Sequence, residues 1–169
     1  SFGYAIKNDV ETPFETIFKR AEDAMYQNKL AINLRYKKAV ITTVLNRLFE
    51  NYPALKVHSE QVGFYSSEFA HVLGFPQEEI TQMRLAGLHH DIGRISIAQR
   101  LLKKKEEDLT KSELVELRRH AEIGYNILSS VPDYAFIAQA VLHHHERWDG
   151  RGYPQGLQGA AIPRSAQRS

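Results

Sequence analysis

No cysteine occurs in the 169 residues. That excludes a disulfide framework and restricts any metal site to nitrogen and oxygen ligands. A charge excess of one sign is missing too: 22 lysines and arginines stand against 20 aspartates and glutamates, a formal net charge of +2. Such near balance argues against a nucleic-acid polymer as partner. Long apolar runs are also lacking. Stretches such as YAFIA, Tyr134 to Ala138, fall far short of the roughly 20 residues that cross a bilayer, and the opening residues lack the charged-then-apolar pattern of a leader. On these grounds we expect a cytoplasmic protein with no membrane span. What is present is 43% hydrophobic and 25% charged residues, enough for one packed domain plus an appendage. The first residue is Ser1 rather than methionine, so a part of something longer is expected.

Only the opening SFGYAIKNDV reads as extended, a short strand-like segment. Thr12-Pro13-Phe14-Glu15 then has a capping-box pattern, and Phe14, Ile17, Phe18, Ala21 and Met25 follow at helical spacing. Neither Gly nor Pro interrupts Phe14 to Tyr52, and Val40, Val44, Leu45, Leu48 and Phe49 resume the apolar stripe. One long helix or two abutting ones are expected, connecting two units. A further helix carries Val62, Tyr65, Phe69 and Val72 on its apolar side and stops at Leu73-Gly74-Phe75-Pro76. The next runs through Ile80 and Met83 towards Asp91. TKSE, Thr110 to Glu113, is a second capping box, opening a helix marked by Leu114, Leu117, Ile123 and Ile127. Pro132-Asp133 introduces the last. The fold class is all-α, a helical bundle preceded by a long connecting helix.

On that last helix the apolar face of Phe136, Ile137, Ala140 and Val141 continues in register to His144 and His145, so both should point inward, with His143 on the border. Inward imidazoles need partners for both nitrogens, supplied by hydrogen bonds or by a metal. The spacing leaves a satisfied core pair and a ligand pair equally open. LHHDIGR, Leu88 to Arg94, adds an adjacent His90-Asp91 pair near a helix end. An Asp can bridge two cations where one neutral imidazole cannot, which is what two-metal hydrolysis requires, whereas Asp91-Ile92-Gly93 also suits a plain helix terminus. His120 lies on a core-facing stripe between Leu117 and Ile123, and His58 opens a helix in the same way.

Taken in order, HDIG, HAEIG, HHERWDGRGYP and GLQGAAIP resemble the HD-GYP phosphodiesterases, a branch of the HD metal-dependent phosphohydrolases whose members hydrolyse cyclic di-GMP to linear pGpG or GMP. The resemblance covers Val57 to Pro163. SFGYA and AEDAMYQNK resemble more weakly the last strand and helix of a GGDEF domain. The division this implies is a GGDEF-like remnant over 1–30, a helical linker over 31–53, and an HD-GYP domain over 54–169. Residue by residue, the family motif implies His58, His90, Asp91, His120, His144 and His145 as metal ligands for two divalent ions, iron first and manganese second. Asp91 and Arg94 would serve catalysis, and Arg94, Gly152, Tyr153 and Pro154 would contact substrate. Cyclic di-GMP is the implied ligand, and a GGDEF-domain protein and a homodimer through the long helix are candidate partners. His89 and His143 fall outside the ligand set, and Glu146 and Asp149 are expected to hold the loop.

Three departures from the family pattern shape the expectation. Arg94 stands where HDxGK has lysine, exchanging a compact charge for a wider planar fork. Ala54 stands where three-metal relatives have glutamate, which favours two metals over three. The family continues into a helix with another aspartate ligand, whereas this sequence reaches Ser169 first, so a C-terminally incomplete domain is expected. The alternative to an enzyme is a catalytically impaired module that binds cyclic di-GMP or a GGDEF partner without turnover.

Overall fold

The computed structural model describes residues 1–9, 11–163 and 166. Contacts divide it into two units, residues 1–40 and 41–169. Regular structure among the described residues is helical, apart from an isolated bridge between Asp149 and Gln158. Residues 1–9, expected to be extended, are irregular and pair with no strand among the described residues, since an isolated segment has no ladder to join.

The long interval without Gly or Pro forms one helix, α1 (Phe14–Asn51). Thr12 does not cap it. Its amide and hydroxyl both donate to the Asp9 carboxylate, at 2.6 and 2.7 Å, so the capping-box pattern is spent on a local turn. In residues 1–40 the expected apolar stripe is largely exposed at Phe14, Phe18 and Met25, and Val40 is exposed as well.

In residues 41–169 the core gathers Ile41, Leu45 and Phe49 of α1 with Ala86, Ile92, Leu128, Val131, Ile137, Ala138, Ala140 and Val141. Full burial of each large aliphatic side chain contributes about 1.5–3 kcal/mol. Helix α2 (Pro53–Val72) starts on proline and ends in a Schellman motif: Gly74 at φ +74° donates to His71 O, and Phe75 to Ala70 O. Its buried face differs from the expected one. Ser59, Gly63, Ser67 and Ala70 turn inward, while Tyr65, Phe69 and Val72 are exposed. The reason is close approach to α3 (Gln77–His89), where a Cβ on Gly87 would come within 2.7 Å of the Gly63 backbone. Only small residues fit that contact, whatever the apolar pattern favours.

A 3-10 turn, Ile92–Ser96, and a short α4 (Gln99–Leu102) lead to α5 (Lys111–Arg118). Here the capping box is realised: the Thr110 hydroxyl accepts from Glu113 N, and the Glu113 carboxylate accepts from Thr110 N at 3.0 Å. The helix expected to run on through Ile127 is broken at Arg119, and α6 (His120–Leu128) begins anew. The Arg119 amide turns back to the Glu116 and Leu117 carbonyls. After another 3-10 turn, Pro132–Tyr134, α7 (Ala135–His143) completes the bundle.

Glu113 supplies a pH prediction. Its hydrogen bond from Lys104, 2.8 Å long, and those from Thr110 hold its carboxyl at about 2, down from 4.5. A depressed folded-state value stabilises above the unfolded one and is lost as pH falls through the folded one. Glu113→Ala should therefore lower the melting temperature at pH 7. The gap to wild type should narrow from pH 4.5 towards pH 2, and a gap that stays constant by calorimetry over that window would refute the linkage.

Candidate metal centre

Six titratable side chains from α2, the end of α3, α6 and the end of α7 converge in residues 41–169. They form two groups, His58 with His90 and Asp91, and His120 with His144 and His145, each with ligand atoms within 4.8 Å of one another. Asp91 stands between them. Its Oδ2 lies 3.2 Å from His90 Nε2 and its Oδ1 3.4 Å from His120 Nε2. All six residues expected from the sequence are thus brought together, although His58 is exposed and lies in the second turn of α2 rather than at its start.

Three rings are fixed by the turn that precedes them. The Nδ1 atoms of His90, His120 and His144 lie 2.7, 2.8 and 2.6 Å from the carbonyls of Gly87, Leu117 and Val141. A carbonyl only accepts, so each Nδ1 carries the proton and, in the neutral ring, each Nε2 presents a lone pair. The break at Arg119 places the Leu117 carbonyl for this role. His120 Nε2 then faces His144 Nε2 at 3.4 Å, two acceptors with no proton between them, and His145 Nε2 is 3.2 Å away. Such an array is electrostatically unfavourable alone and suits a cation that shares the lone pairs. The donor set of imidazoles and one carboxylate therefore fits a borderline divalent metal.

The electrostatics agree. Burial pushes the His144 imidazole down to about 2, with the His145 charge adding to it, and burial followed by the His120 charge takes His145 to about 4. Burial also lowers His120. These rings are neutral near pH 7, the form that ligates. His90 moves the other way: burial would lower it, but the Asp91 hydrogen bond and charge raise it. Burial would raise Asp91, yet the His90 hydrogen bond and charge, with Arg94 and His120, hold it well below the usual carboxylate range. Arg94 Nε donates to Asp91 Oδ1 at 2.6 Å, on the oxygen that faces His120.

A cleft of about 230 Å³ opens on these residues, lined by His58, Val62, Gly87, Asp91, Arg94 and His145 among others. The following loop is tied down by Glu146, which accepts from Gln155 N at 2.7 Å and Leu157 N at 2.9 Å, and Asp149 accepts from Arg151 N at 3.0 Å. Both acids hold the loop, as expected. Tyr153 does not line this cleft, but its ring is stacked on His145. Gly152 approaches the chain so closely that a Cβ would run into Arg147 N, and the Tyr153–Pro154 bond is cis. His89 and His143 stay outside both groups. His89 donates to Leu85 O and packs on Tyr134, and His143 bonds Gln139 O and approaches Gln155 Oε1 at 3.4 Å. Sequence reasoning passed over Arg118, whose guanidinium lies 4.8 Å over the Tyr153 ring, and Gln155. Nothing in their local pattern marks either one, because both contacts cross between elements.

A helical bundle whose His-Asp pair joins a second cluster of inward imidazoles defines a class of metal-site domain. Residues 43–167 match the family model described as HD domain, and the chain belongs to that family. It is similar to a cyclic di-GMP phosphodiesterase of Thermotoga maritima, 34% identical over 158 residues, 91% of this chain and 39% of that protein. It is similar also to the cyclic di-GMP phosphodiesterase response regulator RpfG of Xanthomonas campestris pv. campestris, 40% identical over 111 residues, 64% of this chain and 29% of the relative. A 3'3'-cGAMP-specific phosphodiesterase 2 of Vibrio cholerae is 30% identical over 141 residues, 82% of this chain and 27% of its own length. The chain thus spans about two fifths or less of these relatives. Among the described residues no helix is long and apolar enough to cross a membrane.

Proposed function

We propose that this domain is a metal-dependent phosphodiesterase that hydrolyses cyclic di-GMP to pGpG or GMP in bacterial second-messenger signalling. The observation that carries the reading is the facing of the unprotonated Nε2 atoms of His120 and His144 at 3.4 Å beside the shared carboxylate of Asp91. His58, His90 and Asp91 would hold one divalent ion, and Asp91, His120, His144 and His145 a second, iron first and manganese second. Bound there, the metals would supply Lewis-acid activation of the phosphodiester and of water.

The protein's own groups position and neutralise. Asp91, buried and ionised, turns one oxygen to each histidine group and so fixes their separation. Arg94 holds Asp91 through Nε, leaving its terminal nitrogens to meet a substrate phosphate. Gly152, Tyr153 and Pro154 would border the substrate as it enters the cleft. Residues 1–30 are proposed as the end of a GGDEF-like domain, 31–53 as a linker, and 54–169 as the HD-GYP domain, cytoplasmic in its whole protein. The exposed Phe14, Phe18, Met25 and Ile32 support a homodimer through the long helix, to be checked by light scattering.

One observation favours a second reading. Arg94 occupies the Asp91 oxygen on the His120 side, which opposes metal entry and suits a module that binds cyclic di-GMP or a GGDEF partner without turnover. The test is turnover of cyclic di-GMP by protein loaded anaerobically with Fe²⁺ or Mn²⁺, followed by chromatography of products. Linear product should appear and fall at least about a hundredfold in Asp91→Asn. Tight nucleotide binding by fully loaded protein without product would reject the hydrolase in favour of the binding module.

A further inference from the structure

The geometry points to Tyr153 and Arg118 as positioning residues for His145, and we infer that their stack replaces the hydrogen bond that orients the other buried ligands. The inference rests on the metal-centre reading above. His90, His120 and His144 are each held through Nδ1 by a carbonyl three residues earlier. His145 has no such partner among the described residues, and its Nε2 lies 3.2 Å from His120 Nε2. A ring without an outer partner is free to rotate about its side-chain torsions, and a misdirected ligand weakens the metal it serves.

What fixes His145 is an aromatic face. Its ring lies on Tyr153 with centroids 4.5 Å apart and planes 24° from parallel. The Tyr153 amide donates to the His145 carbonyl at 3.2 Å, so main chain and ring of one residue grip the backbone and side chain of the other. Gly152 makes this possible. A side chain there would strike Arg147 N, the His145 carbonyl and the Glu146 Cα, and would push the tyrosine away. Glu146 anchors the far end of the same loop through Gln155 and Leu157.

Arg118 completes the device. It ends α5 one residue before the break, its guanidinium lies 4.8 Å over the Tyr153 ring, and Glu106 Oε1 lies 3.6 Å from its Nη2. Its Nε is buried with no hydrogen-bond partner among the described residues. A buried unmatched donor costs free energy, and the negative ring face offsets part of that cost. The chain of contact therefore runs from Arg118 through the phenol to His145, and the ring rather than the hydroxyl is what His145 needs.

The experiment measures the Kd for Mn²⁺ by calorimetry, together with the His145 ring signals by NMR in metal-free protein. Tyr153→Phe should stay within about twofold of wild type, while Tyr153→Leu should weaken Mn²⁺ about tenfold or more and shift the His145 signals. Should Tyr153→Leu fail to fold, Arg118→Gln carries the test, with an expected loss of about threefold and the same direction of shift. A shift confined to the His145 ring signals, with those of His89 and His143 unchanged, is what a general packing defect would not produce. A Tyr153→Leu protein, or in its place Arg118→Gln, with unchanged Kd and ring signals overturns the inference. So does a Tyr153→Phe protein as weak as Tyr153→Leu, which would transfer the role to the hydroxyl. Wild-type protein that binds no Mn²⁺ defeats the metal reading instead, and the ring signals still decide whether the stack orders His145.

Discussion

Replacing His144 and His145 together by alanine should reduce bound iron or manganese from about two ions per chain to about one or fewer. Elemental analysis of protein purified without oxygen would show it. The effect is expected to be large because His144 and His145 supply two of the three imidazoles in their group, leaving only His120 and the shared Asp91. Burial keeps both rings neutral at pH 7, with values of about 2 and about 4, so no proton competes for their lone pairs until the solution is acid. Metal held at pH 7 should therefore be released on acidification, chiefly through His90, whose affinity for a proton is raised by Asp91. His89→Ala is the control. It removes a more deeply buried histidine whose Nδ1 serves Leu85 and whose ring serves Tyr134, and it should leave the metal content at the wild-type level. Equal metal in the double variant and wild type would show that these histidines hold no ion.

The second large effect is expected at Gly93, in the 3-10 turn after the His-Asp pair. A Cβ there would enter the backbone of α6, against the His120 carbonyl and within 2.6 Å of Gly124 N. Backbone cannot rotate aside as a flexible side chain can. Gly124 is itself confined, its own Cβ position lying 2.8 Å from Val141 Cγ1, so three elements meet on two glycines. Gly93→Ala should destabilise by about 3 kcal/mol, at the upper end of overpacking costs. For a domain of this size that is a fall in melting temperature of roughly 6–12 °C. It should also weaken metal binding, because pushing α6 outward separates His120 from Asp91, now 3.4 Å apart. Gly74→Ala separates space from conformation. Gly74 has φ +74° and open surroundings, so its replacement should cost only roughly 1 kcal/mol and leave metal binding intact. Equal losses at the two positions would count against the close contact as the cause.

Much of this was legible beforehand where the signal is local. The realised capping box at Thr110 and Glu113, the stop at Gly74 and the unbroken interval from Phe14 are decided by a few neighbouring residues, and the chain folds as they direct. Helical phase from Ile137 and Val141 placed His144 and His145 inward, yet α7 ends at the buried His143, and it is the following turn that brings His144 and His145 to His120. Where a pattern had two local outlets the reading went astray: Thr12 resembles a cap but finds Asp9 first. The apolar side of α2 misled for a different reason, since Tyr65 and Phe69 mark a face that the Gly63 and Gly87 contact turns to solvent.

By itself the sequence determined the helical class and the absence of cysteine ligands, because these depend on composition and on periodicity within single elements, whereas the proposed set of ligating histidines and aspartate rests on motifs that resemble the HD-GYP family. Only the tertiary structure decided that Asp91 meets His120, that His120 faces His144, and that His145 leans on Tyr153 beneath Arg118. Those facts depend on distances between elements far apart in the chain, which packing fixes and no local pattern encodes.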